Sequence, residues 1–195
     1  MKKKLLNHFM NSSLPIYQYG TQVLRKKAEP VQPEEPQLGK FISEMWESMY
    51  LADGVGLAAP QVGKSLRFFV MDASVYADED PSQEGIRRVI INPEILEVSE
   101  QMVSIQEGCL SIPGIHEDVL RPDWVKARYQ NEHFETVEET FRGFSARIFQ
   151  HENDHLDGKL FTDHLSSLKK RLINGKLKDV QTGKAKTAYK IRLPK

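Results

Sequence analysis

Residues 149 to 158 read FQHENDHLDG, which puts His151, Glu152 and His155 in the order His-Glu-x-x-His. Residues four apart in an α-helix share a face, so both imidazoles can turn a ring nitrogen toward one cation. Phe144 and Ile148 fall on the same stripe and are expected to line a pocket beside the ion. Glu152 falls on the flank of that stripe, near enough to handle protons without serving as a ligand. The alternative is a chance pair of histidines satisfied by hydrogen bonds in a core. Two imidazoles do not complete a catalytic centre, which needs three protein ligands and an open position for water. Downstream, Asp163 and His164 are available, but neither stands in the longer metzincin pattern. Upstream, Cys109 in QEGCLSIPG offers a thiolate suited to zinc or ferrous iron, and Gly108 beside it permits close backbone approach. A lone cysteine is otherwise a small buried hydrophobe.

A third stretch, DGVGLAAPQVG from 53 to 63, leaves room for a molecule against its backbone, and Gln61 offers an amide donor. It lacks the Walker spacing and its Lys-Ser/Thr ending, and Gly-Val-Gly alone is no dinucleotide fingerprint. No dinucleotide cofactor is expected.

These residues need rigid elements to hold them. A helix from near Phe144 to the natural stop at Gly158 should carry the histidines. Another amphipathic helix, nearer the N-terminus, is predicted from Leu38, Phe41, Ile42, Met45, Trp46 and Met49 and should end near Asp53-Gly54. RFFVMD, RRVIINPEIL and MVSIQEGCLSI read as strands, and WVKARYQNEHFETVEETF as a hairpin. HLSSLKKRLINGK predicts a last short helix ending at Gly175. The fold class is therefore α+β, with mixed or antiparallel strands packed around a central helix that carries the histidines.

The chain has 195 residues, 39% hydrophobic and 28% charged, which suits a single domain over residues 1 to 195. No apolar run approaches the roughly 20 residues that span a bilayer, so no membrane partner is expected. MKKKLLNHFM is interrupted by Asn7 and His8 and lacks a small-residue cleavage site, which argues against a signal peptide. Residues 1 to 9 read as an extension before a natural start at Met10. One cysteine forms no internal disulfide, and the cytoplasm is the expected compartment. The net charge is zero, yet residues 169 to 195 hold ten Lys or Arg against one acid, Asp179. Such a basic tail is usually a solvated surface and sometimes a nucleic-acid contact.

Taken together and in order, GVGLAAPQ (54 to 61), EGCLS (107 to 111) and QHENDHLDG (150 to 158) resemble the peptide deformylase family. Its motifs are G-φ-G-φ-A-A-x-Q, E-G-C-φ-S and Q-H-E-x-D-H-φ-x-G, and every defined position is filled. The likeness extends to PIYQYGTQVLRKKAEPV and INPEI and covers roughly residues 14 to 165. It implies removal of the formyl group from N-formylmethionyl nascent peptides, with release of formate. Cys109, His151 and His155 would hold one divalent metal ion, ferrous iron foremost, with zinc, nickel or cobalt as substitutes. Glu152 would take a proton from water and deliver it to the departing amine. The Gln61 amide and the backbone NH of Leu110 would stabilise charge on the formyl oxygen. Backbone groups of Val55, Gly56 and Gly108 would pair with the peptide as an added strand, and Phe144 and Ile148 would contact the methionine. The resemblance also suggests a Glu107–Arg121 ion pair, ligand-orienting roles for Gln150 and Asp154, and docking of the basic tail on the ribosome. Two rivals stay open: a metallopeptidase with a downstream ligand, and an inactive peptide-binding relative.

Overall fold

The computed structural model describes residues 13 to 194, so the extension over residues 1 to 9 and the start at Met10 lie outside the described residues. In chain order the strands are β1 (Ile16–Tyr17), β2 (Gly56–Ala58), β3 (Phe68–Asp72), β4 (Arg87–Val98), β5 (Met102–Cys109), β6 (Ile112–Pro122), β7 (Trp124–Gln130), β8 (Thr136–Arg142) and β9 (Ile191–Arg192). The described residues also form three α-helices: α1 (Leu38–Leu51), α2 (Gly143–Leu156) and α3 (Ser167–Gln181). The architecture is mixed α/β with antiparallel sheets. Five strands form one sheet in the order β2-β3-β4-β7-β8, β5 and β6 form a separate hairpin, and β1 pairs in parallel with β9.

β3 explains how the sheet is covered on both faces. Every one of its residues is buried, and alternate side chains point to opposite sides. Phe68 and Val70 join Ile42, Met45 and Met49 of α1 in one core, with Phe41 edge-on to Phe68 at 5.7 Å. Phe69 and Met71 join Ile148 and Phe149 of α2 in a second, where Phe69 meets Phe149 edge-on at 5.4 Å. The helix that carries the histidines is thus clamped to the sheet by its apolar residues. A third core lies between the β5–β6 hairpin and α3, built from Ile112, Ile115 and Val119 against Ile173, Leu177 and Val180.

Each helix stops on a left-handed residue. In α2 that residue is Gly158 (φ +70), and the Gly158 and Lys159 amides donate to the carbonyls of His155 and Asp154 at 3.2 and 2.8 Å. This is the Schellman arrangement, which satisfies carbonyls the helix leaves over. At α1 the left-handed residue is Asp53 (φ 57).

The last helix corrects the prediction of an end at Gly175. It runs on to Gln181, because Ile173, Leu177 and Val180 continue a buried stripe straight through the glycine. A mid-helix glycine costs about 1 kcal/mol relative to alanine, less than burying two more aliphatic side chains returns. The true stop is Gly183 (φ +75), whose amide donates to Val180 O at 3.1 Å while Lys184 N donates to Asp179 O at 2.8 Å. The chain then turns back toward β1, so the basic region is a packed helix and a strand with a charged outer side. No helix among the described residues is long and apolar enough to cross a membrane.

The two glycines should respond oppositely to alanine. Nothing lies within 4 Å of a Cβ built on Gly175, whereas one on Gly183 meets Leu193 Cδ1 at 2.6 Å on a backbone that disfavours side chains. Gly175→Ala is expected to stabilise by about 0.5–1 kcal/mol, and Gly183→Ala to destabilise by about 1–2 kcal/mol. Thermal denaturation of both variants measures this, and a neutral Gly183→Ala would refute the assigned stop.

Candidate metal centre

The centre is assembled from two elements that share no strand pairing. Cys109 ends β5 at the tip of its hairpin, where it pairs with Ile112 across a two-residue turn of Leu110 and Ser111. The register shifts between Glu107 and Cys109, a bulge of the kind that re-aims side chains. His151 and His155 project from α2, their rings edge-to-face at 5.2 Å. One ligand-type atom from each of Cys109, His151 and His155 lies within 4.8 Å of the other two, and no other such group occurs among the described residues. Cys109 Sγ stands 3.3 Å from His155 Nε2. Tetrahedral ligation with metal–sulfur and metal–nitrogen bonds of about 2.3 and 2.0 Å puts two such atoms about 3.5 Å apart. The donor set and its spacing therefore fit one borderline-soft divalent ion.

Glu107 binds the two elements together. Its Oε2 is 2.8 Å from His151 Nδ1, and its carboxylate accepts Arg121 Nε at 2.7 Å and Arg147 Nη1 at 2.8 Å. Arg121 also donates to Asp154 Oδ2 at 2.7 Å, which His164 Nε2 approaches to the same distance. Burial alone would raise the Glu107 carboxyl, but hydrogen bonds and charge from His151 and Arg121 hold it well below the usual carboxylate range. Burial disfavours charge on both histidines. For His151 this is outweighed by its bonds to Cys109 and Glu107, which keep the imidazole well above its ordinary value. His155 is driven well below, by burial and then by the positive His151. The two imidazoles thus differ, with charge favoured on His151 and disfavoured on His155.

A cleft of about 530 Å³ opens over this centre. Glu152 lies in its floor, 4% exposed, with Oε2 lacking a hydrogen-bond partner among the described residues. Burial pushes its carboxyl up to about 7, with the charge on His151 opposing the shift and that on Glu107 adding to it. A Cβ at Gly56 would come within 2.5 Å of Glu152 Oε1, so the first residue of β2 must be glycine for this carboxylate to sit where it does. Gln61, on a short 3-10 turn, accepts the Ala58 amide at 2.8 Å through Oε1. That bond orients its NH2 toward Ser111 Oγ at 3.3 Å and Cys109 Sγ at 3.5 Å.

The residues anticipated for substrate contact, Val55, Gly56, Gly108, Leu110, Phe144 and Ile148, all line the cleft. The Val55 carbonyl already accepts the Asp72 amide at 2.9 Å, and Phe144 stacks on Tyr76 at 4.2 Å. The Glu107–Arg121 pair is formed and buried rather than a coincidence of surface charges. Asp154 bonds Arg121 and His164 rather than Cys109, His151 or His155. Gln150 does not touch them; its amide donates to Pro122 O and Ala146 O, tying α2 to the end of β6. The downstream alternatives are engaged elsewhere, Asp163 with Arg25 and His164 with Asp154. Sequence reasoning missed Arg147, although an arginine four positions before a ligand histidine shares its helix face. It also missed Lys186 to Tyr189, which close one side of the cleft.

A cysteine sulfur and two imidazoles meeting beside a buried carboxyl with a raised pKa make the kind of centre used by metal-dependent hydrolases. Comparison with known proteins narrows the class. The family model described as Polypeptide deformylase matches residues 13–171. The peptide deformylase of Christiangramia forsetii is 46% identical over 188 residues, covering 93% of this chain and 96% of that protein. That of Flavobacterium johnsoniae is 46% identical over 186 residues, covering 92% and 95%. Among solved structures, the Thermotoga maritima peptide deformylase superposes with a TM-score of 0.72 at 46% identity, covering 79% of this chain and 98% of that one. The Legionella pneumophila enzyme gives 0.77 at 37% identity, covering 88% and 97%. The chain belongs to the polypeptide deformylase family.

Removing the charge of Glu107 tests the arrangement directly. Glu107→Gln leaves Arg147 and part of Arg121 buried without a counter-charge, a change that typically costs about 3 kcal/mol or more. It also removes the group that orients His151, which should weaken metal binding about 10- to 100-fold. Thermal unfolding and a chelator competition read the two effects; unchanged values for both would mean the network is incidental.

Proposed function

We propose that this chain removes the formyl group from the N-terminal formylmethionine of new polypeptides and releases formate. The observation that carries the reading is the convergence of Cys109, His151 and His155 beside buried Glu152 at the floor of an open cleft. A divalent ion held by the Cys109 thiolate and the two imidazoles would supply Lewis acidity and a water acidic enough to attack at neutral pH. Ferrous iron is the ion we assign, and zinc, nickel or cobalt also suits one thiolate with two imidazoles.

The remaining steps belong to side chains and backbone. Glu152 takes the proton of the attacking water and hands it to the departing amine, a shuttle suited to a carboxyl that titrates near neutrality. As the formyl carbon turns tetrahedral, the Gln61 NH2 and the Leu110 amide donate to its oxygen. Gln61 meets this demand pre-oriented by Ala58, with no reorganisation at the moment of reaction. The free edge of β2 supports strand-like capture of the peptide by Val55 and Gly56, with Gly108 on the facing hairpin. Phe144 and Ile148 form the apolar side for methionine. In this reading α2 is the central element of one catalytic domain, working in the cytoplasm where formylated chains emerge.

The test compares formyl-Met-Ala with Met-Ala. The chain should release formate from the first and leave the second intact; cleavage of Met-Ala would identify a peptidase. Glu152→Ala should keep its metal while formate release falls about 10²- to 10⁴-fold, and a variant with undiminished turnover would remove Glu152 from the mechanism.

Docking on the ribosome is supported by the outer side of α3, where Leu168 and Leu172 are exposed at 61% and 73% among Arg171, Lys176 and Lys178. Deleting the helix would strip the third core, so charge reversal is the cleaner probe. Arg171→Glu with Lys178→Glu should lower ribosome co-sedimentation at low salt, the condition in which surface charge acts at longest range. Unaltered co-sedimentation would end the idea.

A further inference from the structure

Leu110 and Ser111 form the tip of a hairpin, and Leu110 follows directly on the Cys109 ligand. Such tips are ordinarily among the more mobile parts of a fold. This one is held from outside the hairpin. The Leu110 carbonyl accepts two donors, Tyr189 Oη at 2.8 Å and Gln18 Nε2 at 3.2 Å. The Ser111 carbonyl accepts the Tyr19 amide at 2.8 Å. Gln18 and Tyr19 follow β1, and β1 is held by the strand that follows Tyr189: Ile16 N donates to Lys190 O and Gln18 N to Arg192 O, both at 2.9 Å. Both routes to the tip therefore pass through the C-terminal segment. That segment is itself set by the turn at Gly183 and by Thr187 Oγ1, which donates to the Tyr189 carbonyl at 3.1 Å. The family match ends at Arg171, so none of it belongs to the matched region.

We infer that residues Lys186 to Arg192 complete the catalytic site, with Tyr189 as a positioning residue that holds the Leu110–Ser111 peptide so that the preceding Leu110 amide faces the reacting formyl oxygen. The inference rests on the deformylase reading given above. Tyr189 acts through the backbone and touches no reacting atom. Its ring packs against the first core beside Leu110, so phenylalanine keeps the packing and removes only the hydroxyl.

Tyr189→Phe should lower kcat for formyl-Met-Ala about three- to ten-fold, the scale of one hydrogen bond, and leave KM and metal content unchanged. Amide hydrogen exchange supplies a readout independent of turnover. Exchange at Leu110 and Ser111 should accelerate while the β3 amides keep wild-type protection. Gln18→Met, which removes the other donor to the same carbonyl, should give the same pattern and stands in should Tyr189→Phe lose stability. A fall in kcat without faster exchange at the tip, or faster exchange without a fall in kcat, overturns the assignment, as does no change in either. Should the wild-type chain release no formate, the deformylase reading fails by itself, and the exchange data still decide whether Tyr189 holds the tip.

Discussion

Glu107 is a buried carboxylate, and its charge is met by Arg121 on β6 and by Arg147 and His151 on α2. Burying one such charge unpaired costs several kcal/mol, and the penalty disappears only when all the partners arrive together. The hairpin and the helix are therefore locked in one relative position by electrostatics rather than by strand pairing. Since Cys109 is two residues along from Glu107 and His151 is one of its partners, the same lock sets the distance from the Cys109 sulfur to the imidazoles. Arg147 reinforces it from the helix side, reaching back to the Val119 and Val103 carbonyls of both hairpin strands.

A second constraint works through the sheet. The β2 edge lies close enough to α2 that only a hydrogen fits between Gly56 and Glu152. The carboxyl is thereby pinned between the helix that carries it and the strand edge that borders the cleft, with Oε2 buried. Its upward shift follows first from that burial, a consequence of packing.

Much of this was legible in the sequence because periodicity and punctuation agreed. The stripe from Leu38 to Met49, the β-branched runs at residues 67 to 72 and 87 to 96, and the glycine stop at Gly158 each signal one element by two independent means. That Cys109, His151 and His155 belong together could be read from residue chemistry and the order of three motifs, and the fold does bring them within reach of one ion. Failures arose where one signal was read alone. Gly175 looked like a stop, but the buried residues beyond it outweigh a single glycine, and the matching glycine eight residues later was passed over. The role of Gln150 was misjudged because a polar residue next to a ligand in sequence points to a different side of the helix. The pairing of β1 with β9 joins residues about 175 apart through two-residue strands, too short to show any period.

That pairing also bears on the order in which the molecule is built during translation. Every other described element is synthesised before β9, and the stretch around Gly54 to Gln61, the thiolate and both imidazoles have all emerged by then. The hairpin turn, however, gains the Tyr189 hydroxyl and the strand that steadies Gln18 only when the segment around β9 folds back upon β1. Contacts spanning so much chain form late, because closing the intervening loop carries the largest entropy loss. A nascent copy of this protein would thus carry Cys109, both histidines and Glu152 well before the hairpin tip beside them becomes firm.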